Sequence, residues 1–291
     1  MTTTHLEKRY NRYEVNSKKD YFKNDLKGLT TIELCITEMC TRKCGFCPRS
    51  DETVYKNNPF HMSLSTVNEF CKKCKNENFG GDIHISGFGE PFLNKNIFNI
   101  VSLIKFNLPD NRVCITNNGD CLTSEKIKEI FYCGLDYMII SCYDGYDAKN
   151  KFIQMFKDAN ISNQKFEIRE LWYNEGENEL EFAKRNKFNN RSGTSTKLNG
   201  LDVKTGECYL PFYKLVIDWN GEILLCCNDW HRRHKGFGNI NKNSLSEIWY
   251  GDEFTKVRKD LSIGNRIGPS CKNCSIDGTI IGKESVKTLG F

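Results

Sequence analysis

Three cysteines, Cys40, Cys44 and Cys47, lie close together in the segment CTRKCGFC. Thiolates at such spacing bind soft metals such as zinc or the iron of iron–sulfur clusters. Structural zinc sites and fully ligated clusters use four protein ligands. Three cysteines therefore either leave one metal position open for chemistry or are completed by a nearby side chain such as His61.

A second group of cysteines lies in the C-terminal part of the chain, at Cys208, at the pair Cys226 and Cys227, and in the CKNC segment 271–274. The paired cysteines are adjacent in a predicted strand, so their side chains point to opposite faces and only one can join the others. With either one, the group supplies four thiols, a complete ligand set for zinc or for an iron–sulfur cluster.

The composition indicates metal or redox chemistry inside a cell. The 291 residues include 15 cysteines, yet no stretch approaches the roughly 18 apolar residues of a membrane span, and the start of the chain lacks a secretory signal. A secreted disulfide scaffold would be shorter. We therefore expect a cytoplasmic protein. The net charge is +5 with scattered basic residues, so nucleic-acid binding is not expected.

The hydrophobic pattern of the first half predicts strands alternating with helices. Strands are predicted at residues 31–37, 82–86, 112–116, 136–141 and 166–171, and helices at residues 63–77, 95–106 and 124–134. This order predicts an α/β fold with a parallel sheet, whose chemistry lies at the carboxyl ends of the strands. The cysteine loop follows the first strand, and the glycine-bearing segment SGFGEP (86–91) follows the second.

The second half begins after a polar, irregular segment at residues 186–207, which predicts a domain boundary and a truncated barrel. Residues 214–218 and 222–226 flank an Asn-Gly turn and predict a hairpin, and residues 244–261 predict one amphipathic helix. The predicted organisation is an N-terminal extension (1–29), a β/α domain (30–190) and a small hairpin-plus-helix domain (191–291).

The segment CTRKCGFC resembles the cluster loop of the radical S-adenosylmethionine (radical SAM) enzymes. In that family, three cysteines hold a 4Fe–4S cluster and S-adenosylmethionine chelates the fourth iron. SGFGEP, one βα unit later, is similar to the family's Gly-Gly-Glu segment with one extra residue. The resemblance implies a partial parallel β/α barrel of the radical SAM type, with Cys40, Cys44 and Cys47 as the cluster ligands.

The resemblance also implies a set of cofactor-binding residues. Phe46 would place its backbone against the adenine, glycines of SGFGEP would let the main chain approach the methionyl amino group, and an arginine leaving the fifth strand would pair with the carboxylate. The set comprises Phe46, Gly87, Phe88, Gly89, Glu90, Asn118, Ser141, Asp144 and Arg169. For Asn118, Ser141, Asp144 and Arg169, ordinary loop capping or a surface salt bridge is the alternative.

The second half resembles the auxiliary-cluster domains of the same superfamily, the SPASM type and the shortened twitch type. The resemblance implies a second 4Fe–4S cluster on Cys208, Cys226, Cys271 and Cys274, with Cys227 as the alternative to Cys226. The spacing of 18 residues from Cys208 to Cys226 favours Cys226. Five cysteines in this region limit it to one auxiliary cluster, which favours the twitch type; structural zinc is the alternative.

The implied reaction begins with reductive cleavage of S-adenosylmethionine to a 5′-deoxyadenosyl radical, which takes a hydrogen atom from the substrate. A one-electron donor such as flavodoxin or ferredoxin is implied as a partner. An auxiliary cluster near the substrate favours dehydrogenation of a small sugar- or cyclitol-like molecule, as in the twitch-type dehydrogenase of an aminocyclitol. Arg191 is predicted to orient the substrate hydroxyl, with an ordinary turn arginine as the alternative.

Two other functions are retained. The first is modification of a ribosomally made peptide by epimerisation or crosslinking, where Cys227 or Cys142 would donate a hydrogen atom in an epimerase. Residues 1–29 are too few for the leader-binding domain common in peptide-modifying members, which favours a small substrate. The second is a non-catalytic zinc- or metal-binding protein, which would not need SGFGEP.

Overall fold

The computed structural model describes residues 5–17 and 26–291. In this part of the chain, seven strands form one sheet in the order β5-β4-β3-β2-β1-β6-β7, and every neighbouring pair is parallel except β6–β7. The strands are β1 (Thr31–Leu34), β2 (Asp82–Ile85), β3 (Val113–Asn117), β4 (Tyr137–Cys142), β5 (Phe166–Glu170), β6 (Lys214–Ile217) and β7 (Ile223–Leu224).

The helices begin and end at the signals that the sequence carries. Ser63 accepts a hydrogen bond from the Thr66 amide at the start of the second helix, and Gly134 (φ +100°) ends the fourth in the left-handed conformation. The helices are α1 (His5–Ser17), α2 (Leu64–Asn76), α3 (Ile97–Asn107), α4 (Ser124–Tyr132), α5 (Gly145–Asp158), α6 (Glu179–Arg185), α7 (Leu210–Tyr213), α8 (Leu245–Trp249), α9 (Asp252–Ser262) and α10 (Lys283–Leu289).

The α/β partial barrel that the sequence predicted is confirmed, and its first five strands lie where the alternation placed them. The single helix predicted for residues 244–261 is wrong, because the chain turns at Gly251, whose extended backbone (φ −58°, ψ 150°) caps the start of α9. Helix α5, which the sequence analysis did not identify, fills the connection between β4 and β5.

The hairpin β6–β7 extends the barrel sheet. Strand β6 pairs in parallel with β1, with Thr31 opposite Lys214 and Leu34 opposite Ile217. A segment that the sequence assigned to the small C-terminal domain therefore supplies the sixth parallel strand. As a result, the segment that follows β7 lies beside the barrel sheet, and Cys227 packs against an apolar cluster that contains Cys35, the residue after β1.

Alternation along the strands separates an apolar outer face from a polar lumen. Ile32 and Leu34 of β1 and Ile83 and Ile85 of β2 are fully buried against the helices. Between them, Glu33, His84 and residues at corresponding positions of the other strands face the cavity inside the sheet; these include Thr116, Ser141 and Lys214. No helix in residues 5–17 and 26–291 combines the length and apolar character needed to cross a membrane.

Candidate active site

A cavity of about 820 Å³ fills the inside of the partial barrel. Its wall is built from the inner faces of the strands, the loops after β1 and β2, and side chains of α1. Predicted site residues in this wall are Cys40, Cys44, Phe46, Cys47, Gly87, Phe88, Gly89, Glu90, Asn118, Ser141, Arg169 and Arg191. The structure thus gathers most of the predicted residues at one site.

The three cysteines of the first loop are partly exposed and share this wall. Burial, followed by the neighbouring thiols of Cys47 and Cys40, raises the pKa of Cys44 to about 12. A thiol with this pKa loses its proton at neutral pH only when it binds a metal cation such as iron. The donor set therefore fits an iron–sulfur cluster on the cavity side of the loop.

Asn118 ties the cysteine loop to the end of β3. Its Nδ2 atom donates to Thr41 Oγ1 at 2.8 Å and lies 3.8 Å from the sulfur of Cys40. Its backbone amide donates to Glu90 Oε2 at 2.7 Å. Asn118 therefore contacts a predicted cluster ligand and the glycine-bearing segment at once.

Arg42, between the first two cysteines of the loop, holds two aspartates that follow neighbouring strands. Its Nε donates to Asp120 Oδ2 at 2.8 Å, and its Nη1 donates to Asp144 Oδ1 at 2.9 Å. Asp144 is not among the residues of the cavity wall. Its carboxylate instead binds the guanidinium of Arg42. The predicted role of Asp144 in cofactor binding stays a prediction.

The segment after β2 packs tightly against the start of the cysteine loop. A Cβ atom on Gly89 would lie 2.5 Å from the carbonyl oxygens of both Met39 and Thr37, so only glycine fits. The Phe88 carbonyl accepts from Nε of Arg49 at 2.8 Å. The glycine is thus required by a close backbone approach, and the buried guanidinium fixes the direction of the neighbouring peptide.

Glu90 is a buried carboxylate that connects two strand ends. It accepts the Phe92 amide at 3.1 Å in addition to the Asn118 amide. Burial raises the pKa of Glu90 to about 7, although both backbone hydrogen bonds oppose this shift. Its contacts in the structure are to backbone amides, so it shapes the loops around the cavity.

Phe46 is packed among aromatic rings, 5.2 Å from the centroid of Phe182 and 4.8 Å from that of Phe188. Its carbonyl accepts a hydrogen bond from Ser195 Oγ at 2.9 Å. Ser141 of β4 and Arg169 of β5 are partners in the register of the sheet, and both line the cavity. Arg169 therefore reaches the cavity from a strand, with Glu167 3.4 Å from its Nε.

The lumen contains a polar network around His84. This histidine lines the cavity, and its Nε2 lies 2.8 Å from Thr116 Oγ1. Glu33 forms a buried ion pair with Lys214 and accepts Ser86 Oγ at 2.8 Å. Side chains alternate along β2, so His84 faces the side of the sheet opposite to Ile83. This alternation was the sequence signal for a side chain in the lumen.

The second group of cysteines surrounds a smaller cavity behind β7. Cys208, Cys226, Cys271 and Cys274 all line it, together with Ser192 and Asn228. Burial, and then the thiols of Cys208 and Cys274, raise the pKa of Cys271 to about 12. Two buried polar atoms in the wall, Ser192 Oγ and Asn228 Nδ2, find no partner among the described residues. Four thiols and two free donors fit an iron–sulfur cluster.

Arg191 lies on a strained loop between the two cavities. Arg191 (φ +50°) and Ser192 (φ +58°) are both left-handed, a conformation that costs a non-glycine residue about 1–3 kcal/mol. Asn190 holds the loop, because its Nδ2 donates to the Asn273 carbonyl at 2.8 Å and its Oδ1 accepts the Ser275 amide at 3.0 Å. The loop is thereby fixed to the CKNC segment.

The two cavities meet at Arg191 and Asn228. Arg191 lines the large cavity, and its Nη1 donates to Oδ1 of Asn228 at 3.3 Å, whereas Asn228 lines the small one. In residues 5–17 and 26–291, no three His, Cys, Asp or Glu side chains are arranged to hold a single metal ion. The cysteines of both groups instead stand apart on the cavity walls.

Comparison with known protein families identifies both halves of the chain. Residues 34–165 match the Radical SAM superfamily, and residues 208–275 match SPASM, an iron–sulfur cluster-binding domain. The chain carries a radical SAM domain followed by a SPASM domain. The predicted S-adenosylmethionine and 4Fe–4S cofactors are confirmed by these two domains, as are the C-terminal auxiliary-cluster domain and, with the dehydrogenase relative, the classification as a radical SAM oxidoreductase.

Individual relatives cover most of the chain. The S-adenosyl-L-methionine-dependent 2-deoxy-scyllo-inosamine dehydrogenase of Niallia circulans is 27% identical over 252 residues, which are 86% of this chain and 94% of that protein. The crystal structure of BtrN in complex with AdoMet and 2-DOIA has a TM-score of 0.71 at 25% identity, and covers 88% of this chain and 97% of that one. Native anSMEcpe with bound AdoMet shares the fold, with a TM-score of 0.55 at 13% identity over 89% of this chain and 94% of that one.

Proposed function

We propose that this radical SAM enzyme dehydrogenates a hydroxyl group of a small sugar- or cyclitol-like substrate to a ketone. The relative from Niallia circulans, named a dehydrogenase of 2-deoxy-scyllo-inosamine, supports this choice because the similarity extends over nearly its whole length. The BtrN structure with AdoMet and 2-DOIA supports it on the level of overall architecture.

The observation that carries the proposal is the position of Arg191. Its guanidinium lines the large cavity and contacts Asn228, which lines the cavity of the four C-terminal cysteines. A guanidinium placed there can orient a substrate oxygen and stabilise negative charge that develops as the hydroxyl proton leaves. The hydrogen bonds of Asn190 to the CKNC segment and to the next residue offset the backbone strain of the loop and keep the guanidinium in place.

The lumen suits a polyhydroxylated molecule. His84, Glu33, Lys214 and Thr116 offer donors and acceptors on the inner face of three strands and of β6. Burial, reinforced by the positive charges of Lys214 and Arg169, lowers the pKa of His84 to about 3, so its ring is neutral and can both donate and accept. Hydroxyl groups of a substrate can exchange hydrogen bonds with such a network.

The shared cavity supports the residues predicted for S-adenosylmethionine. Phe46, Gly87, Gly89 and Asn118 line the large cavity together with the three cysteines. Ser141 and Arg169 line it as well, and Arg169 would bind a carboxylate as a fork. These assignments, and the auxiliary cluster on Cys208, Cys226, Cys271 and Cys274, form part of the proposal.

Oxidation of an alcohol to a ketone removes a hydrogen atom from carbon, one further electron and the hydroxyl proton. S-adenosylmethionine and the first cluster supply the acceptor of the hydrogen atom, and the auxiliary cluster supplies the acceptor of the electron. A one-electron donor of the flavodoxin or ferredoxin class would reduce the first cluster. The chain's own task is to fix the C–H bond and the hydroxyl, and to keep water out.

The test uses protein purified without oxygen, S-adenosylmethionine and a strong reductant, with a panel of cyclitols, aminocyclitols and sugars. We expect one panel member to yield equal amounts of 5′-deoxyadenosine and a product two hydrogens lighter. Deuterium at the oxidised carbon should appear in 5′-deoxyadenosine. Formation of an isomer of the substrate would overturn the dehydrogenation. Reaction with a parallel panel of peptides, and with no member of the first panel, would overturn the proposal in favour of peptide modification.

Arg191→Lys tests the assigned residue. This variant should still make 5′-deoxyadenosine but form the ketone about 10²–10³-fold more slowly, the usual effect of removing one positioned donor to a developing oxyanion. Arg185→Lys is the matched control, because Arg185 forms an ion pair with Glu177 and is not in the cavity wall. Unchanged ketone formation in Arg191→Lys would remove Arg191 from the mechanism.

A further inference from the structure

Two buried polar atoms without a hydrogen-bond partner line the cavity of the C-terminal cysteines. Six buried side-chain nitrogen or oxygen atoms in the described part of the chain lack a hydrogen-bond partner, and four of them belong to Ser192, Asn228, Trp230 and Arg233. Buried polar groups in folded proteins are nearly always hydrogen-bonded, because an unmet donor costs about 1–3 kcal/mol. The two such atoms that share the cavity of the C-terminal cysteines, Ser192 Oγ and Asn228 Nδ2, indicate a missing acceptor there.

Ser192 and Asn228 are the two of these residues that line the cavity of the four cysteines. Ser192 is 1% exposed and Asn228 is fully buried, so bulk water does not satisfy them. The other members of the wall are the four cysteines and mainly apolar or already bonded side chains; Ser270, for example, donates to Asp229. The cavity therefore presents two free donors and four sulfur ligands to one volume.

The orientation of the Asn228 amide follows from its neighbour. Arg191 has only N–H donors, so the Asn228 atom that faces Nη1 at 3.3 Å must be the oxygen. The NH₂ group of Asn228 then points away from Arg191 and stays unpartnered in the cysteine-lined cavity. The amide thus connects the guanidinium at the substrate cavity with the auxiliary site.

We propose that Asn228 Nδ2 and Ser192 Oγ donate hydrogen bonds to sulfur atoms of the auxiliary cluster and raise its reduction potential. Reduction adds negative charge to the cluster, and donors to its sulfurs stabilise the reduced form more than the oxidised form. The inference rests on the proposed function in requiring a 4Fe–4S cluster on the four C-terminal cysteines. Asn228 and Ser192 are positioning residues that act through the cluster.

Hydrogen bonds to the auxiliary cluster would assist a dehydrogenation. A raised potential makes the cluster a better acceptor for the electron that leaves the substrate. Through its oxygen, the same Asn228 amide fixes the guanidinium that handles the hydroxyl group. One side chain therefore sets both the acceptor strength at the auxiliary site and the position of Arg191.

The test is a potentiometric titration followed by EPR. The full-length protein carries Cys40→Ser, Cys44→Ser and Cys47→Ser, so that only the auxiliary cluster gives a signal. Ser192→Gly and Ser192→Ala each remove the hydroxyl, and glycine additionally suits the left-handed backbone at this position. Asn228→Leu removes the second donor at similar volume.

We expect each variant to lower the midpoint potential by about 60 mV, a tenfold change in a one-electron reduction equilibrium, and the double variant to lower it further. Ser195→Ala is the matched control, because Ser195 lies in the same loop but donates to the Phe46 carbonyl. The midpoint potential of the auxiliary cluster should not change in this variant. Unchanged potentials in both Ser192 variants and in Asn228→Leu, at full iron content, would overturn the inference. If the parent protein held no iron, the proposed auxiliary cluster itself would fail, a separate result.

Discussion

The side chains of Cys226 and Cys227 face different cavities. Cys226 lines the small cavity with Cys208, Cys271 and Cys274, whereas Cys227 lines the large cavity with Arg191. The strand predicted for both cysteines is wrong at this point, because β7 ends at Leu224 and a turn over residues 226–229 separates the directions of the two side chains. The geometry favours Cys226 as the fourth ligand of the auxiliary cluster and leaves Cys227 in the wall of the large cavity.

We therefore predict opposite effects of serine at the two positions. Cys226→Ser should reduce the iron content from about eight to about four per chain, because a 4Fe–4S cluster uses four thiolates, while Cys227→Ser should keep about eight. Iron and sulfide assays with EPR on anaerobic protein measure this. Loss of four irons in Cys227→Ser instead would exchange the two assignments.

Cys227 also distinguishes dehydrogenation from epimerisation. A dehydrogenase does not require a thiol hydrogen donor, so Cys227→Ser should still form the oxidised product, within about tenfold of the parent rate if the thiol only packs against the substrate. Product analysis in deuterated water completes the measurement. An isomerised product in the parent that carries solvent deuterium, and that disappears in Cys227→Ser, would identify the thiol as a hydrogen donor.

Gly89 tests the close packing between the cysteine loop and the segment after β2. We expect Gly89→Ala to lose S-adenosylmethionine binding and 5′-deoxyadenosine formation, because its Cβ would lie 2.5 Å from two carbonyl oxygens. Equilibrium dialysis with labelled S-adenosylmethionine measures the first effect.

Gly200→Ala is the matched control for that substitution. Its backbone has no positive φ, and the nearest atom to a Cβ there is a flexible leucine methyl carbon at 3.1 Å. This variant should bind S-adenosylmethionine normally. Normal binding by Gly89→Ala as well would show that the loop shifts without consequence for the site.

Local sequence patterns predicted the parts of the structure that depend on local chemistry. Alternation and capping placed β1–β5 and three of the helices between them, and cysteine spacing placed both cysteine groups. Helix α5 was missed although Phe152 and Phe156 bury one face of it. The alternation of side chains in β2 also agrees with the position of His84 in the lumen.

Contacts between distant segments could not be predicted in this way. The pairing of β6 with β1, the clamp of Arg42 on two aspartates and the contact between Arg191 and Asn228 join segments 37 or more residues apart. A hairpin pattern specifies its own turn but not the third strand beside it. Likewise, the polar residues of α1 gave no sign that they line the cavity, since a charged helix face usually meets solvent.

The buried pair of Glu33 and Lys214 predicts a large cost when one partner is removed. Burial alone would raise the pKa of Glu33, but Lys214, His84 and Ser86 outweigh it and lower the pKa to about 2. Lys214→Met leaves the carboxylate buried without its partner, which should reduce the free energy of unfolding by about 3–5 kcal/mol. Urea unfolding at pH 7 measures this.

The double variant Glu33→Gln, Lys214→Met is the control for that loss. It removes both charges, so much of the stability should return. A further loss in the double variant would mean that Lys214 contributes by packing, through contacts other than the ion pair.

His84 predicts a pH dependence with a defined sign. Burial first, and then the cations Lys214 and Arg169, lower the pKa of His84 to about 3 against an ordinary 6.5, whereas Glu33 opposes the shift. Below pH 6.5 the unfolded chain binds the proton that the folded chain refuses, so stability should fall by about 1–2 kcal/mol from pH 6.5 to pH 5. His84→Gln should lack this slope, and His231→Gln, at an exposed position, should keep it. Urea unfolding of the three proteins at both pH values decides, because an equal slope in all of them would show that His84 protonates freely within the fold.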